Sequence, residues 1–347
     1  MAVKPFLGST AQRAFIGTIA VQAVIVLVMV AITFRLVEEK VEFVDTYKTL
    51  PCYLALFALA EVFELLITID ALRLRNIIQL MGILAFHLGL MVTAAIQVRE
   101  TRIALVLRSN CDATVDPITC DGKGTLWYRV LPFLIVSPCV IAVSFVLLCF
   151  WMRDLYAEFG WAIFHVVGAN PKMKEMYRYY QILICLLKFD FFSFTGVTMQ
   201  LLIIVLHRSS AEFGLTIAAI PVVLVLLILC GIAVQREIKW IMSISLVLML
   251  ASLVYFLYKL ARFYEPHSRH LYVSTRATLT VFTITAFLLV SASFAIGFKC
   301  YLDFNQGLLD SKLNNVPRRW TNTKRPLSNM AQDNQVGVPL THRISIE

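Results

Sequence analysis

Apolar stretches of eighteen residues or more recur along the chain, each bounded by a polar segment. A helix of that length, rising about 1.5 Å per residue, crosses a hydrocarbon core of about 30 Å. The pattern predicts spanning helices over residues 14–34, 50–72, 77–97, 130–151, 180–206, 213–234, 239–260 and 277–300. Only Gln235, Arg236, Glu237 and Ile238 separate the sixth span from the seventh. Merged, they would form a helix of roughly 50 residues, beyond what tilting accommodates, so a tight turn is expected there. The fold class is therefore all-α: a polytopic transmembrane helical bundle of about eight spans. It divides into a cytosolic N-terminus (1–13), one membrane domain (14–302) and a cytosolic, disordered basic tail (303–347).

Polar residues interrupt the apolar pattern in three of these spans. Glu61, Glu64 and Thr68 follow i, i+3, i+7 spacing and share one face of the second helix. His87 lies in the third span between Gly82 and Gly89, where small residues let a neighbour approach closely. Lys188 and Asp190 lie inside the fifth. A charge in hydrocarbon costs roughly 2.5–3.5 kcal/mol or more, so these groups need partners on other helices. Counted from the cytosolic ends of their spans, Glu64 and Lys188 fall about 12 Å deep, and Glu61, His87 and Asp190 about 15–17 Å deep. The expectation is one intramembrane charged layer of Glu61, Glu64, His87, Lys188 and Asp190, with the second, third and fifth spans as neighbours. Lys188 is expected to pair with Glu64 or Glu61. Asp190, roughly 200° around the helix from Lys188, is expected to meet a different helix. The plain alternative for His87 is a hydrogen-bonded core histidine.

The connections carry weaker signals. Cys111 and Cys120 share the polar loop 98–129 and form a natural disulfide if that loop is exoplasmic. Residues 154–167, rich in aromatics, read as an amphipathic segment lying along the membrane surface. Asn170 and Pro171 then read as the cap and first residue of the fifth helix. His267 and His270 lack a third ligand, so no metal site is expected. The first span, with Lys4 and Arg13 ahead of it, reads as an uncleaved signal anchor.

Composition agrees with this picture, since 59% of the 347 residues are apolar and 15% are charged. The net charge of +9 fits loops and a tail facing anionic lipid, with no folded basic domain to hold nucleic acid. An even number of spans puts both termini on one side, and that side collects the larger share of the 31 lysines and arginines. Both termini are thereby assigned to the cytosol, which places the Cys111 and Cys120 loop in the lumen. The chain lacks a His-Glu-x-x-His zinc motif, a Gly-x-Ser-x-Gly elbow and a phosphate-binding Gly-x-x-x-x-Gly-Lys loop. No catalytic residue and no cofactor are assigned.

Three segments carry a family resemblance: Glu158-Phe159-Gly160-Trp161; Tyr180-Gln181 leading into Cys185-Leu186-Leu187-Lys188-Phe189-Asp190-Phe191-Phe192; and Asp70-Ala71-Leu72-Arg73 with Asn76-Ile77-Ile78-Gln79. With them the sequence resembles a fungal family of uncharacterised multi-pass Golgi apparatus membrane proteins. The resemblance implies a Golgi location and a helical bundle, and it transfers no activity. The leading expectation is a non-enzymatic Golgi membrane protein whose internal charges are structural or line a small path. One alternative is a small-solute or ion-coupled transporter using the charged layer. Another is a cargo-sorting adaptor using residues 152–179 and the tail.

Overall fold

The computed structural model describes residues 7–40, 49–106, 120, 122, 124–167, 171–204, 211–265 and 276–304. They form eight α-helices: α1 (Thr10–Lys40), α2 (Thr49–Leu74), α3 (Ile77–Leu105), α4 (Leu126–Val167), α5 (Pro171–Ile204), α6 (Ala211–Arg236), α7 (Lys239–Tyr264) and α8 (Arg276–Leu302). Each predicted span maps onto one helix, in order. Among the described residues, six are long and apolar enough to cross a membrane; α2 carries Glu61, Glu64 and Asp70, and the apolar stretch described within the 26-residue α6 is Ile220–Arg236. Cys111, His267, His270 and the tail from residue 305 lie outside the described residues.

Two short turns are built alike. At the end of α2, Arg75 adopts a left-handed φ of 51° and the Asn76 N–H donates to the Ala71 carbonyl at 3.1 Å. The Asn76 side chain then accepts from the N–H groups of Ile78 and Gln79, capping α3. Between α6 and α7, Glu237 has φ 53° and the Ile238 N–H donates to the Ala233 carbonyl at 2.9 Å. The tight turn expected at Gln235 to Glu237 is therefore present.

The stretch from 154 to 167 departs from expectation, because it does not form a separate surface segment. It continues α4, which runs unbroken for 42 residues, about 63 Å at 1.5 Å per residue. The physical reason is an apolar stripe. Leu148, Met152, Leu155 and Phe159 recur at helical spacing and are buried in one cluster with Phe15 and Ile19 of α1. Gln12 of α1 adds a hydrogen bond to Glu158 at 2.9 Å. Helix α5 begins at Pro171, as its sequence indicates.

Helix neighbours follow one order in both halves. In the first, α1 packs on α2 and α4, and α3 on α2 and α4; in the second, α5 packs on α6 and α8, and α7 on α6 and α8. The halves join where α5 lies against α2 and α3. Four phenylalanines fill that joint: Phe63 of α2, Phe86 of α3, and Phe189 and Phe192 of α5, with ring centroids 4.8–5.8 Å apart. Gly82 makes the close fit possible, since a Cβ there would come within 2.9 Å of the Phe189 ring. Gly89 does not share this role; nothing lies within 4 Å of a Cβ built on it. Large apolar side chains such as Val146 (67% exposed) and Val247 (67%) face outward while Glu61, Glu64 and His87 are fully buried. That inverted pattern suits a lipid bilayer.

Candidate functional site

The polar face of α2 is the centre of a buried network spanning α1 to α4. His87 Nδ1 lies 2.6 Å from Glu64 Oε1, and its Nε2 lies 3.0 Å from the Ile141 carbonyl and 3.2 Å from Ser144 Oγ. Ser144 donates to Gln22 Oε1 at 2.6 Å. The Gln22 amide nitrogen donates to both carboxylate oxygens of Glu61, at 3.1 and 3.3 Å. Glu61, Glu64 and His87 are 0% exposed, Gln22 1% and Ser144 4%. The Phe145 ring stacks on the imidazole at 5.9 Å. Glu64 Oε2 has no hydrogen-bond partner.

Helical spacing explains why these residues meet. Glu61 and Glu64, three apart, project from one face of α2, Glu61 toward Gln22 on α1 and Glu64 toward His87 on α3. Ser144 on α4 closes the chain between Gln22 and His87. Gln22 and Ser144 are the members that sequence reasoning missed. Their signal was an isolated amide and an isolated hydroxyl inside apolar spans.

Lys188 belongs to a second cluster, and here the expected pairing is corrected. Its ammonium contacts Asp70, not Glu64 or Glu61, and also donates to Gln79 Oε1 at 2.7 Å. The Gln79 amide nitrogen bonds Asp70 at 3.0 Å and the Ile67 carbonyl at 2.9 Å. Depth counted from the backbone placed Lys188 level with Glu64, but the long lysine stem carries the charge toward the helix ends. The side chains of Lys188 and Asp70 are 28% and 41% exposed, whereas the α1 to α4 network is sealed.

Asp190 is a third, separate group. It is 4% exposed, accepts a hydrogen bond from Ser293 of α8, and leaves Oδ1 without a partner. It thus meets a different helix from Lys188, as its angular position indicates. The five residues therefore occupy three environments: Glu61, Glu64 and His87 together, Lys188 with Asp70 and Gln79, and Asp190 with Ser293. Spans two, three and five are neighbours as expected. Among the described residues, no three His, Cys, Asp or Glu side chains are placed to hold a metal ion. Cys120 is disulfide-bonded, and Cys111, its expected partner, lies outside the described residues.

No protein-family profile matches the chain. No solved structure matches it. A UPF0658 Golgi apparatus membrane protein of Schizosaccharomyces pombe is 30% identical over 273 residues, covering 75% of this chain and 77% of that protein. At that identity and coverage, the chain belongs to the UPF0658 family of Golgi apparatus membrane proteins.

Proposed function

We propose that this protein is a non-enzymatic resident of the Golgi membrane, with eight spans and both termini in the cytosol, that carries a small solute or ion across that membrane. The Golgi location is supported by the S. pombe relative. The cytosolic termini are supported by the excess of Lys and Arg on their side. Inclusion of α2 and α6 among the spans is supported by their places in the two helix rings, each between two apolar helices long enough to cross a membrane.

The observation that carries the transport reading is the sealed group of Glu61, Glu64 and His87. A structural clamp could be built from neutral groups such as Gln22 and Ser144, whereas two buried carboxylates and an imidazole impose a desolvation cost that holding helices together does not require. Such a group is suited to binding and releasing a cation as the bundle changes state. Against the adaptor reading, Leu155 and Phe159 are packed on α1, although Tyr156 beside them is exposed.

The test compares Golgi vesicles from cells with and without the protein by metabolite and ion profiling. A specific change in one solute or ion class is the expected result. Identical contents and uptake rates would remove the carrier reading and leave the buried charges a structural role.

A further inference from the structure

The hydrogen-bond directions in the buried network determine its charge. Both ring nitrogens of His87 face oxygen acceptors, Glu64 Oε1 on one side and the Ile141 carbonyl on the other. The single Ser144 proton is engaged by Gln22 Oε1 at 2.6 Å, the shortest of its contacts. One proton therefore lies between His87 Nδ1 and Glu64 Oε1, on the ring as an imidazolium or on the carboxyl with the ring neutral, while Nε2–H donates to the Ile141 carbonyl. In either arrangement the His87 and Glu64 pair is neutral. Glu61 receives only a neutral amide N–H from Gln22 and is left as a surplus negative charge with no exposure to water. Among the described residues, nothing else nearby offsets it. Between Arg13 and Arg35, α1 carries no ionisable side chain, and between Arg129 and Arg153 α4 carries only the exposed thiols Cys139 and Cys149. On α5, Lys188 is engaged by Asp70 and Gln79, Asp190 by Ser293, and Cys185 is a free buried thiol.

Resting on the carrier reading, we propose that Glu61 and Glu64 form a binding site for one exchangeable proton, shared between the Glu61 carboxyl and the unpartnered Glu64 Oε2. The i, i+3 spacing on α2 brings the two Cβ atoms to about 5–6 Å, within side-chain reach of such a bond. One proton makes the network neutral, and Glu64 Oε2 gains the donor it lacks. The proton comes from hydronium, whose O–H bond breaks as the carboxyl O–H bond forms, and water leaves; release reverses the step. A cleft between the same four helices, with room for about one water molecule, lies on one side of the network and stops short of it. Thr33, Gln97 and Ser137 supply its polar lining. Ser137 lies about 10 Å along α4 from Ser144. Val26, Phe57, Ala60 and Leu90 form the apolar layer between cleft and network.

Infrared difference spectroscopy of the full-length protein in lipid nanodiscs, titrated with pH in H2O and D2O, tests this directly. The expected result is a protonated-carboxyl C=O band that titrates in wild type, persists in D190N and is lost in E61Q. A band lost in D190N, or retained in E61Q, belongs elsewhere and overturns the proposal. If E61Q fails to assemble, D190N still decides, because it leaves the network intact: no titrating band there is the overturning result. A band abolished by sodium at constant pH assigns the site to a metal cation and also overturns it. Flux in proteoliposomes is read separately. A titrating band without flux leaves the proton site and removes the carrier reading; flux without a titrating band does the reverse.

Discussion

Lys188 of α5 and Asp70 of α2 meet across 118 positions of sequence, and Gln79 of α3 bonds to both. This contact ties the second half of the bundle to the first, beside the turn that Asn76 caps. The segments with which the chain resembles its family supply every member: Asp70, Asn76, Gln79 and Lys188. Because both charged side chains are partly exposed, the pair contributes modestly. Lys188→Met and Asp70→Asn are each expected to destabilise by on the order of 1 kcal/mol. The double variant should lose little more than either single one, because they remove the same contact. Thermal unfolding in detergent measures this, and fully additive losses would show that the two side chains act independently.

Removing one partner from the sealed network is expected to cost far more. His87→Leu leaves Glu64 buried without its partner, a loss of about 3–5 kcal/mol. Pairing the change with Glu64→Gln should recover much of that loss, since the orphaned charge is then gone. Yield and unfolding temperature of the single and double variants provide the measurement. Equal stability of wild type and His87→Leu would mean that the pair is dispensable to the fold.

Gly82 and Gly89 flank His87 but are expected to respond oppositely to a methyl group. At Gly82 the added Cβ would lie 2.9 Å from Phe189 Cε2 and 3.0 Å from Cys185 Sγ, so Gly82→Ala forces α3 and α5 apart at a cost of about 1–3 kcal/mol. At Gly89 the space is open, and Gly89→Ala should stabilise by about 0.5–1 kcal/mol through helix propensity. Adding Phe189→Leu to Gly82→Ala should recover part of the loss, which unfolding temperatures would show.

The disulfide at Cys120 is expected to be made with Cys111. Non-reducing peptide mapping of the protein should recover the two joined, and Cys111→Ser should leave Cys120 alkylatable. Closing this loop contributes about 2–4 kcal/mol, so the variant should unfold at lower temperature than wild type. Recovery of Cys120 joined to another cysteine would reject the pairing.

The helices were legible in the sequence because a bilayer demands long apolar runs, and the turn at Glu237 because one uninterrupted helix would have been too long. The stripe of Glu61, Glu64 and Thr68 likewise identified the face that reaches α1 and α3. Pairing was less legible. Backbone depth says nothing of how far a lysine stem carries its charge, so depth alone points Lys188 to Glu64 or Glu61 when its ammonium reaches Asp70. Gln22 and Ser144 escaped notice because single neutral polar residues commonly bond within their own helix. Only the tertiary arrangement shows that these two join Glu61 to His87. The continuation of α4 past residue 154 was hidden for a related reason. An aromatic-rich segment suits the membrane surface and a helix interface equally, and the partner that decides between them, Phe15 and Ile19 of α1, is remote in sequence.

Topology underlies the direction of any transport and can be tested without a transport assay. The chain contains no Asn-x-Ser/Thr acceptor, so each loop can be given one in turn without background. Cytosolic termini require α1 to run from cytosol to lumen, which puts the 98–129 loop in the lumen. An acceptor introduced there should be glycosylated, and one introduced in the tail beyond residue 305 should not. The same orientation places the cleft lined by Thr33, Gln97 and Ser137 on the lumenal side of the Glu61 and Glu64 pair, since it lies toward the C-terminal ends of α1 and α3 and the N-terminal end of α4. A Gln97→Cys variant should then react with a thiol reagent confined to the lumen of sealed vesicles and be spared by the same reagent added outside. A glycosylated tail, or Gln97→Cys labelled only from the cytosolic side, would invert the bundle and with it the side on which that cleft lies.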